Sequence, residues 1–344
     1  MSRLKFAING FGRIGRLVAR TYAENPHFQE KLELAAINDL NKPSESSHFL
    51  KYDSTHGKAS FDIAYDDNHL IIGGAKVPIT SERDPAQIPW NNYGVDLVFD
   101  CTGKFRTKET ASAHLKSGVK KVIISAPGKN VDRTIVMGVN EKEYQHASDS
   151  ILSNASCTTN CLAPLALVLD QKFKIKQGFI TTIHSYTSDQ RVIDNSHRDP
   201  RRARTAAHNI IPTTTGAAVA VGEVIPSLNG KLDGLAMRVP TPNVSITDLV
   251  AEIETKATAE EINEALAQAA KTTLQGILDV SYEPLVSVDY IGNPHSSIID
   301  ALSTSVIKQD ASGKGNLIKV CSWYDNEVGF SHRMLDLASY IASQ

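Results

Sequence analysis

Cys157 stands in the run Ser153-Asn154-Ala155-Ser156-Cys157-Thr158-Thr159-Asn160-Cys161, where a short strand-like stretch gives way to the apolar helical stretch CLAPLALVLD. A serine in N-cap position puts the thiol in the first turn, at the positive end of a helix dipole. The dipole is expected to lower the thiol pKa from its free value of roughly 8.5. A thiolate is a nucleophile, so covalent catalysis is the chemistry to look for. An isolated cysteine is more often a packing residue. Cys101 and Cys321, in apolar strand-like runs, and Cys161, one turn further along the apolar helix, fit that blander role. Cys157 departs from it because hydroxyl and amide side chains flank it. His184, in TTIHSYTSDQ, closes an alternating run and precedes a long polar segment. An imidazole there can take a proton from the thiol or from a tetrahedral adduct. The chain has 11 histidines, and a hydrogen-bonded structural histidine is the commoner outcome, so residue type alone does not select His184.

Two further patterns handle anions. Gly10-Phe11-Gly12-Arg13-Ile14-Gly15 follows a strand and opens a helix, the setting in which GxGxxG binds a dinucleotide. The glycines allow a tight turn, backbone approach to a pyrophosphate and close helix–strand packing, and the helix N-terminus offers amides. Asp39 ends the next strand, where a carboxylate accepts hydrogen bonds from a ribose and repels a 2′-phosphate, so NAD is expected over NADP. The second pattern comprises Thr187 and Asp189 after the histidine, the arginines of DPRRAR (Arg201, Arg202, Arg204), Thr213-Thr214-Thr215-Gly216 ahead of an apolar helix, and Arg238 at a strand end. Hydroxyls, a helix N-terminus and arginines suit phosphate; Arg201 and Arg204 read rather as surface ion-pair residues.

These residues need a scaffold, and the chain supplies two textures. Up to about residue 156, short Val/Ile-rich runs (4–9, 32–38, 95–101, 120–125, 150–153) alternate with helical patterns such as RIGRLVARTYAEN and KETASAHLKSG, indicating a parallel sheet covered on both faces. Residues 61–77, with Gly73-Gly74, read as a local antiparallel excursion. Beyond Cys157 the runs at 178–187, 232–239 and 245–254 are longer and alternate, as in a larger antiparallel or mixed sheet with one packed face. Thr258 and Glu261 form a capping box for a helix over 258–273. The fold class is therefore α/β: a dinucleotide-binding unit on a parallel sheet at 1–156 and an α+β unit with a mostly antiparallel sheet at 157–330. The segment 188–212 is polar, arginine-rich and aperiodic, which in a compact domain points to function or an interface.

Composition agrees. A length of 344 residues favours two domains, and 41% hydrophobic with 22% charged residues suits packed cores. The net charge of -2 gives no basic field for nucleic acid or a membrane surface. Four cysteines without a CxxC pair suggest reduced thiols. The N-terminus enters a strand at once, and no apolar run is long enough to span a bilayer, so a cytoplasmic protein with no metal site is expected.

Taken together, the runs INGFGRIGR, KYDSTHG, SNASCTTNC, HSYTSDQ, RRAR, IIPTTTGAA, PLVSVDYIGNPHSSIIDALST and WYDNEVGFSHRMLDL resemble the glyceraldehyde-3-phosphate dehydrogenase family, in its order and along the whole chain. SNASCTTNC is a highly specific signature. The resemblance implies a Rossmann-type domain followed by a catalytic domain, with the C-terminal helix, 331–344, packing back on the first. It implies oxidation of glyceraldehyde 3-phosphate to 1,3-bisphosphoglycerate with NAD and inorganic phosphate, through a hemithioacetal and an acyl thioester. Cys157 is then the nucleophile and His184 its base. Arg13, Ile14, Asp39, Arg83, Ser125 and Asn326 would contact NAD. Ser156, Thr158, Thr187, Arg202, Thr215, Gly216 and Arg238 would form two phosphate sites. A homotetramer is implied, with the 188–212 loop reaching a neighbour's cofactor site. Some positions depart from the family's pattern. Val328 and Phe330 replace Trp and Tyr, Pro200 replaces Leu, and Asn195-Ser196 replaces the Leu-Pro of strictly NAD-dependent members, which leaves secondary NADP use open. Two alternatives are a thioester-hydrolysing erythrose-4-phosphate dehydrogenase and a non-catalytic member that binds RNA or protein. The intact TTTG and SYT motifs and the retained Cys157 and His184 argue against them.

Overall fold

The computed structural model describes residues 3–344. The chain divides into two compact units: one runs to Ser156 and takes in Ser331–Gln344, and the other is Cys157–Phe330.

The first unit is built on β1 (Leu4–Asn9), α1 (Arg13–Glu24), α2 (Pro26–Lys31), β2 (Leu32–Asn38) and α3 (Pro43–Lys51). A small hairpin, β3 (Tyr52–Asp53) and β4 (Gly57–Lys58), precedes the meander β5 (Ile63–Tyr65), β6 (His69–Ile72) and β7 (Ala75–Thr80). Then come β8 (Leu97–Asp100), α4 (Lys108–Ala111), β9 (Lys121–Ile124), β10 (Arg133–Thr134) and β11 (Ile151–Ser153). The sheet runs β10-β11-β9-β8-β1-β2-β7-β6-β5. Its central pairings are parallel, and the expected antiparallel excursion is β5–β6–β7, which rejoins the sheet when β7 pairs parallel with β2. Phe6, Ala7, Ile8, Leu97, Val98, Phe99, Val122 and Ile123 are all fully buried. Consecutive residues can be buried only if both faces of the sheet are covered.

One helical expectation is corrected. The stretch at 108–118 makes a single α-turn and tightens to 3-10 geometry over Ser112–Ser117. His114 is drawn inward there, with Trp90 Nε1 donating to Nδ1 at 3.0 Å and Nε2 3.1 Å from Asp100. Periodicity cannot reveal such a buried polar anchor.

The second unit opens with α5 (Cys157–Phe173), followed by β12 (Ile175–Ser185), β13 (Ile211–Thr214), α6 (Ala217–Val224), β14 (Leu232–Val239), β15 (Ser245–Ala257) and α7 (Ala259–Lys271). It ends with β16 (Leu278–Ser281), β17 (Ser297–Asp300), β18 (Ser305–Ile307) and β19 (Gly315–Tyr324). The capping box at Thr258 and Glu261 is present. The eight-stranded sheet has the order β13-β14-β12-β15-β19-β17-β16, with β18 on β19. It is mixed and largely antiparallel; β12–β14 and β16–β17 are its parallel pairs. One face, with Ile180, Leu249, Ala251, Ile318 and Val320, is buried, and α5 packs on the sheet. On the other face the cross-strand pair Phe179 and Val250, with Leu235 and Leu317, stays exposed.

The last helix, α8 (Val328–Ile341), carries its residues from Ser331 onward in the first unit. There His332 meets the Phe28 ring edge-on, and Tyr340 meets Tyr144. Val328 and Phe330 are buried, so their departure from the family pattern is one of packing. Among the described residues no helix is long and apolar enough to cross a membrane, and no group of His, Cys, Asp and Glu is placed to hold a metal ion.

Candidate active site

In the first unit the carboxyl ends of β1, β2 and β8 surround a cavity of about 340 Å³ lined by Asn9, Gly10, Gly12, Asn38, Asp39, Arg83, Thr102 and Lys104, among others. Such a crevice, outside the strand ends of a parallel sheet, is where dinucleotides bind. Gly10 turns the chain at φ +90° against Thr102, and a Cβ at Gly15 would lie 2.2 Å from the Gly10 carbonyl oxygen. At Gly12, the N-cap of α1, a Cβ would meet nothing within 4 Å, so the backbone there is open to a ligand. Asp39 Oδ2 accepts the Phe11 amide at 2.6 Å and Oδ1 accepts the Asn41 amide at 2.9 Å, which ties the end of β2 to the glycine turn. These residues fit the adenosine end of NAD.

Not every expected contact lies on that cavity. Arg13 and Ile14 open α1 without lining it, and the Arg13 guanidinium pairs with Asp53 on β3. Ser125 follows β9, its amide donating to the Asp100 carbonyl. Asn326 belongs to the second unit, where its Oδ1 accepts from Ser185 Oγ at 2.8 Å and Ser245 Oγ at 2.9 Å. Asn195 and Ser196 are exposed on the loop. Cys101 sits just past the end of β8, its amide donating to the Asn9 carbonyl at 2.8 Å, and lines the cavity with a thiol that burial pushes up. Asn9, Asn38, Thr102 and Lys104 were missed because only the sheet order brings these separate strand ends together.

In the second unit, a tight turn with Ala155 at φ 56° leads into α5, and Cys157 is its first residue. Cys157 Sγ lies 3.4 Å from His184 Nε2. His184 is near the end of β12, and the parallel register of β12 with β14 sets Arg238 directly beside it. His184 Nδ1 lies 2.7 Å from the Ser185 carbonyl oxygen, and Arg238 Nη1 donates to the same oxygen at 2.9 Å. Arg238 Nη1 also lies 2.8 Å from Nδ1; in the tautomer whose Nδ1 proton points at the Ser185 carbonyl, Nε2 faces the thiol as an acceptor. Burial, then the Arg238 charge, lowers the imidazole pKa to about 3, against a smaller opposing effect of the Ser185 carbonyl. The ring is therefore neutral at pH 7.

The thiol differs from expectation. Burial pushes Cys157 up, and this outweighs the lowering by Arg238 and by the side chain and amide of Thr158. The helix-terminus argument left out desolvation, which depends on packing that the local run does not show. Tyr324, at the end of β19, bonds Thr158 Oγ1 at 2.9 Å and Thr182 Oγ1 at 2.8 Å. It pins the first turn of α5 to β12, and 166 residues separate it from Thr158, too far for a local pattern to reveal.

The remaining anion candidates gather partly. Arg202 pairs with Asp189, and its Nη2 lies 3.5 Å from the Thr214 carbonyl oxygen, just before Thr215 and Gly216. Thr215 Oγ1 accepts the Ala217 amide, and Gly216 caps α6 without a side-chain bond of its own. Burial lowers the Arg238 guanidinium, the nearby Arg202 adds to this and Asp189 opposes it. Thr187 starts the turn that its carbonyl closes with the Gln190 amide. Arg204 pairs with Asp194 on the surface. Ser156 is the last residue before α5.

A glycine-lined cavity at the strand ends of a parallel sheet suits a dinucleotide, and a thiol 3.4 Å from an imidazole on a second, mixed sheet suits covalent catalysis. Comparison with known proteins is more particular. The profile described as glyceraldehyde 3-phosphate dehydrogenase, NAD binding domain, matches residues 4–108, and that described as the C-terminal domain matches residues 156–326. The chain is 55% identical over 341 residues to glyceraldehyde-3-phosphate dehydrogenase of Geobacillus stearothermophilus, covering 99% of each. It is 54% identical to glyceraldehyde-3-phosphate dehydrogenase 1 of Bacillus subtilis (strain 168), again over 99% of each. With the enzyme of that name from Zymomonas mobilis it shares 51% over 98% of each. The chain belongs to the glyceraldehyde-3-phosphate dehydrogenase family.

Proposed function

We propose that this protein oxidises D-glyceraldehyde 3-phosphate with NAD and inorganic phosphate, giving 1,3-bisphosphoglycerate. The observation that carries the reading is the 3.4 Å approach of Cys157 Sγ to His184 Nε2, in a chain whose relatives bear that enzyme's name. His184 takes the thiol proton as sulfur bonds to the aldehyde carbon, and returns it to the alkoxide, leaving a hemithioacetal. Bound NAD would accept a hydride from that carbon. His184 removes the hydroxyl proton in the same step, and an acyl thioester remains on Cys157. Phosphate oxygen then attacks the thioester, and Cys157 leaves as thiolate to be reprotonated.

In this reading Ser156, Thr158, Thr187, Arg202, Thr215, Gly216 and Arg238 hold the substrate phosphate and inorganic phosphate. Residues 1–156 with 331–344 form the dinucleotide-binding domain, and 157–330 the catalytic domain. Gly10, Gly12, Arg13, Ile14, Gly15, Asp39, Arg83 and Ser125 hold the cofactor, and Asn326 orients its nicotinamide amide. Asp39 favours NAD, and Asn195-Ser196 leaves NADP as a secondary cofactor. The exposed apolar positions Phe179, Leu235, Val250 and Leu317 on one sheet face support a homotetramer, and a cytoplasmic location fits the reduced thiols. Nothing observed favours erythrose 4-phosphate as substrate or an RNA- or protein-binding role. Mixing enzyme, substrate and NAD without phosphate, quenching in acid and mapping the adduct tests the reading. The acyl group is expected on Cys157, and its absence there would overturn the assignment.

A further inference from the structure

His197 has no part in the roles assigned above, yet its side chain is only 7% exposed within an irregular surface loop. The Asp199 amide donates to its Nδ1 at 2.9 Å. Nδ1 also lies 3.1 Å from the Asp199 carbonyl oxygen; the shorter contact from the amide assigns the lone pair to Nδ1 and, in the neutral ring, the proton to Nε2. Nε2 lies 3.5 Å from Asp189 Oδ1. The other oxygen of the same carboxylate, Oδ2, accepts from Arg202 Nη1 at 2.5 Å. Arg202 Nε also faces Asp199 Oδ2 at 3.4 Å. Asp189 thus divides its two oxygens, one to the imidazole and one to the guanidinium. Its side chain is 44% exposed, so its two partners, and not burial, fix its orientation. Burial raises the Asp189 carboxyl, but Arg202 and His197 together outweigh this, and it stays a carboxylate.

We propose that His197 is a positioning residue for Arg202, and that through Asp189 it sets the affinity for inorganic phosphate. The inference rests on the reading of Arg202 as a phosphate contact. An anion at Arg202 competes with Asp189 for one guanidinium. While His197 holds Oδ1, Asp189 engages Arg202 through Oδ2 alone and leaves the Nη2 edge beside the Thr214 carbonyl and the start of α6. Without His197 the carboxylate is free to rotate and grip the guanidinium with both oxygens, the stronger fork geometry. The arginine is then less available to phosphate.

Two substitutions separate positioning from mere support. His197→Asn keeps an oxygen where Nδ1 accepts the Asp199 amide, but its amide nitrogen falls short of Asp189. His197→Gln places a donor near the Nε2 position. With phosphate as the varied substrate, His197→Asn should raise its KM roughly fivefold with kcat changed less than about twofold, and His197→Gln should recover most of that loss. The phosphate concentration that half-protects Cys157 from alkylation should move by the same factor, which gives an equilibrium readout. An unchanged KM in His197→Asn overturns the inference, as does a Gln variant no better than Asn. Arg202→Gln is measured alongside. If it too leaves the phosphate KM unchanged, the reading of Arg202 fails and takes the role of His197 with it. If it raises KM while His197→Asn does not, this inference fails alone.

Discussion

At Cys157 the thiol sulfur lies 3.4 Å from His184 Nε2. Burial pushes the thiol up and holds the imidazole neutral, so the pair rests as thiol and imidazole, and a thiolate forms only as the proton leaves sulfur during attack. Cys157→Ser should therefore lose aldehyde oxidation entirely while keeping its fold, because a serine hydroxyl is a far weaker nucleophile. Substantial turnover in a steady-state NADH assay would refute the role. His184→Asn should slow oxidation by about 10²–10⁴-fold, the usual cost of a lost general base, and still be alkylated at Cys157; a variant as fast as the wild type would place the base elsewhere. At this scale the sequence was most legible, since the turn, the helix start and the specific run around Cys157 are all local. Arg238 was legible only as an arginine at a strand end. Its place beside His184 comes from the parallel register of β12 with β14, a contact 54 residues apart in the chain. The direction of the thiol shift was misread for the same reason: desolvation is a property of the packed site.

Elements carry these residues, and one tie between them depends on pH. Arg13, the first residue of α1, pairs with Asp53 on β3, while the Thr55 and His56 amides donate to Asp53 Oδ1 at 2.9 and 3.0 Å. Burial alone would raise the Asp53 carboxyl. The two amides and the Arg13 guanidinium outweigh it and hold the pKa at about 2, below its ordinary 3.8. A lowered folded-state pKa adds stability above the ordinary value, and that stability is lost as pH falls towards the folded value. Asp53→Asn should thus lower unfolding free energy by about 2 kcal/mol at pH 7, with the difference shrinking between pH 4 and 2. Denaturant titrations across that range check it, and a difference independent of pH would count against the carboxylate as its source. Strands β1, β2, β14 and β15 were readable from their runs because alternation and Val/Ile enrichment are local. The 3-10 segment at Ser112–Ser117 was not, because buried His114 answers to Trp90 and Asp100. Nor could the run of residues say which pairs of the second sheet are parallel, since alternation reports burial and not strand direction.

At the scale of the molecule, a sheet face with Phe179, Val250, Leu235 and Leu317 exposed leaves apolar area that association would cover. Light scattering at assay concentration should give the mass of four chains, and dilution below the assembly's dissociation constant should weaken NAD binding and activity together. A fully active monomer would contradict both expectations. Two domains could be anticipated from length and the change of texture after Cys157, but the placing of Ser331–Gln344 with the first unit is invisible to local pattern and entered only through the resemblance. The central claim is that Cys157 carries an acyl group which phosphate, and not water, removes. Rapid mixing of enzyme, glyceraldehyde 3-phosphate and NAD in phosphate-free buffer tests it most directly. The account predicts a burst of NADH stoichiometric with Cys157 that then nearly stops, followed by steady turnover and accumulation of an acyl phosphate once phosphate is added. A steady rate indifferent to phosphate would contradict it.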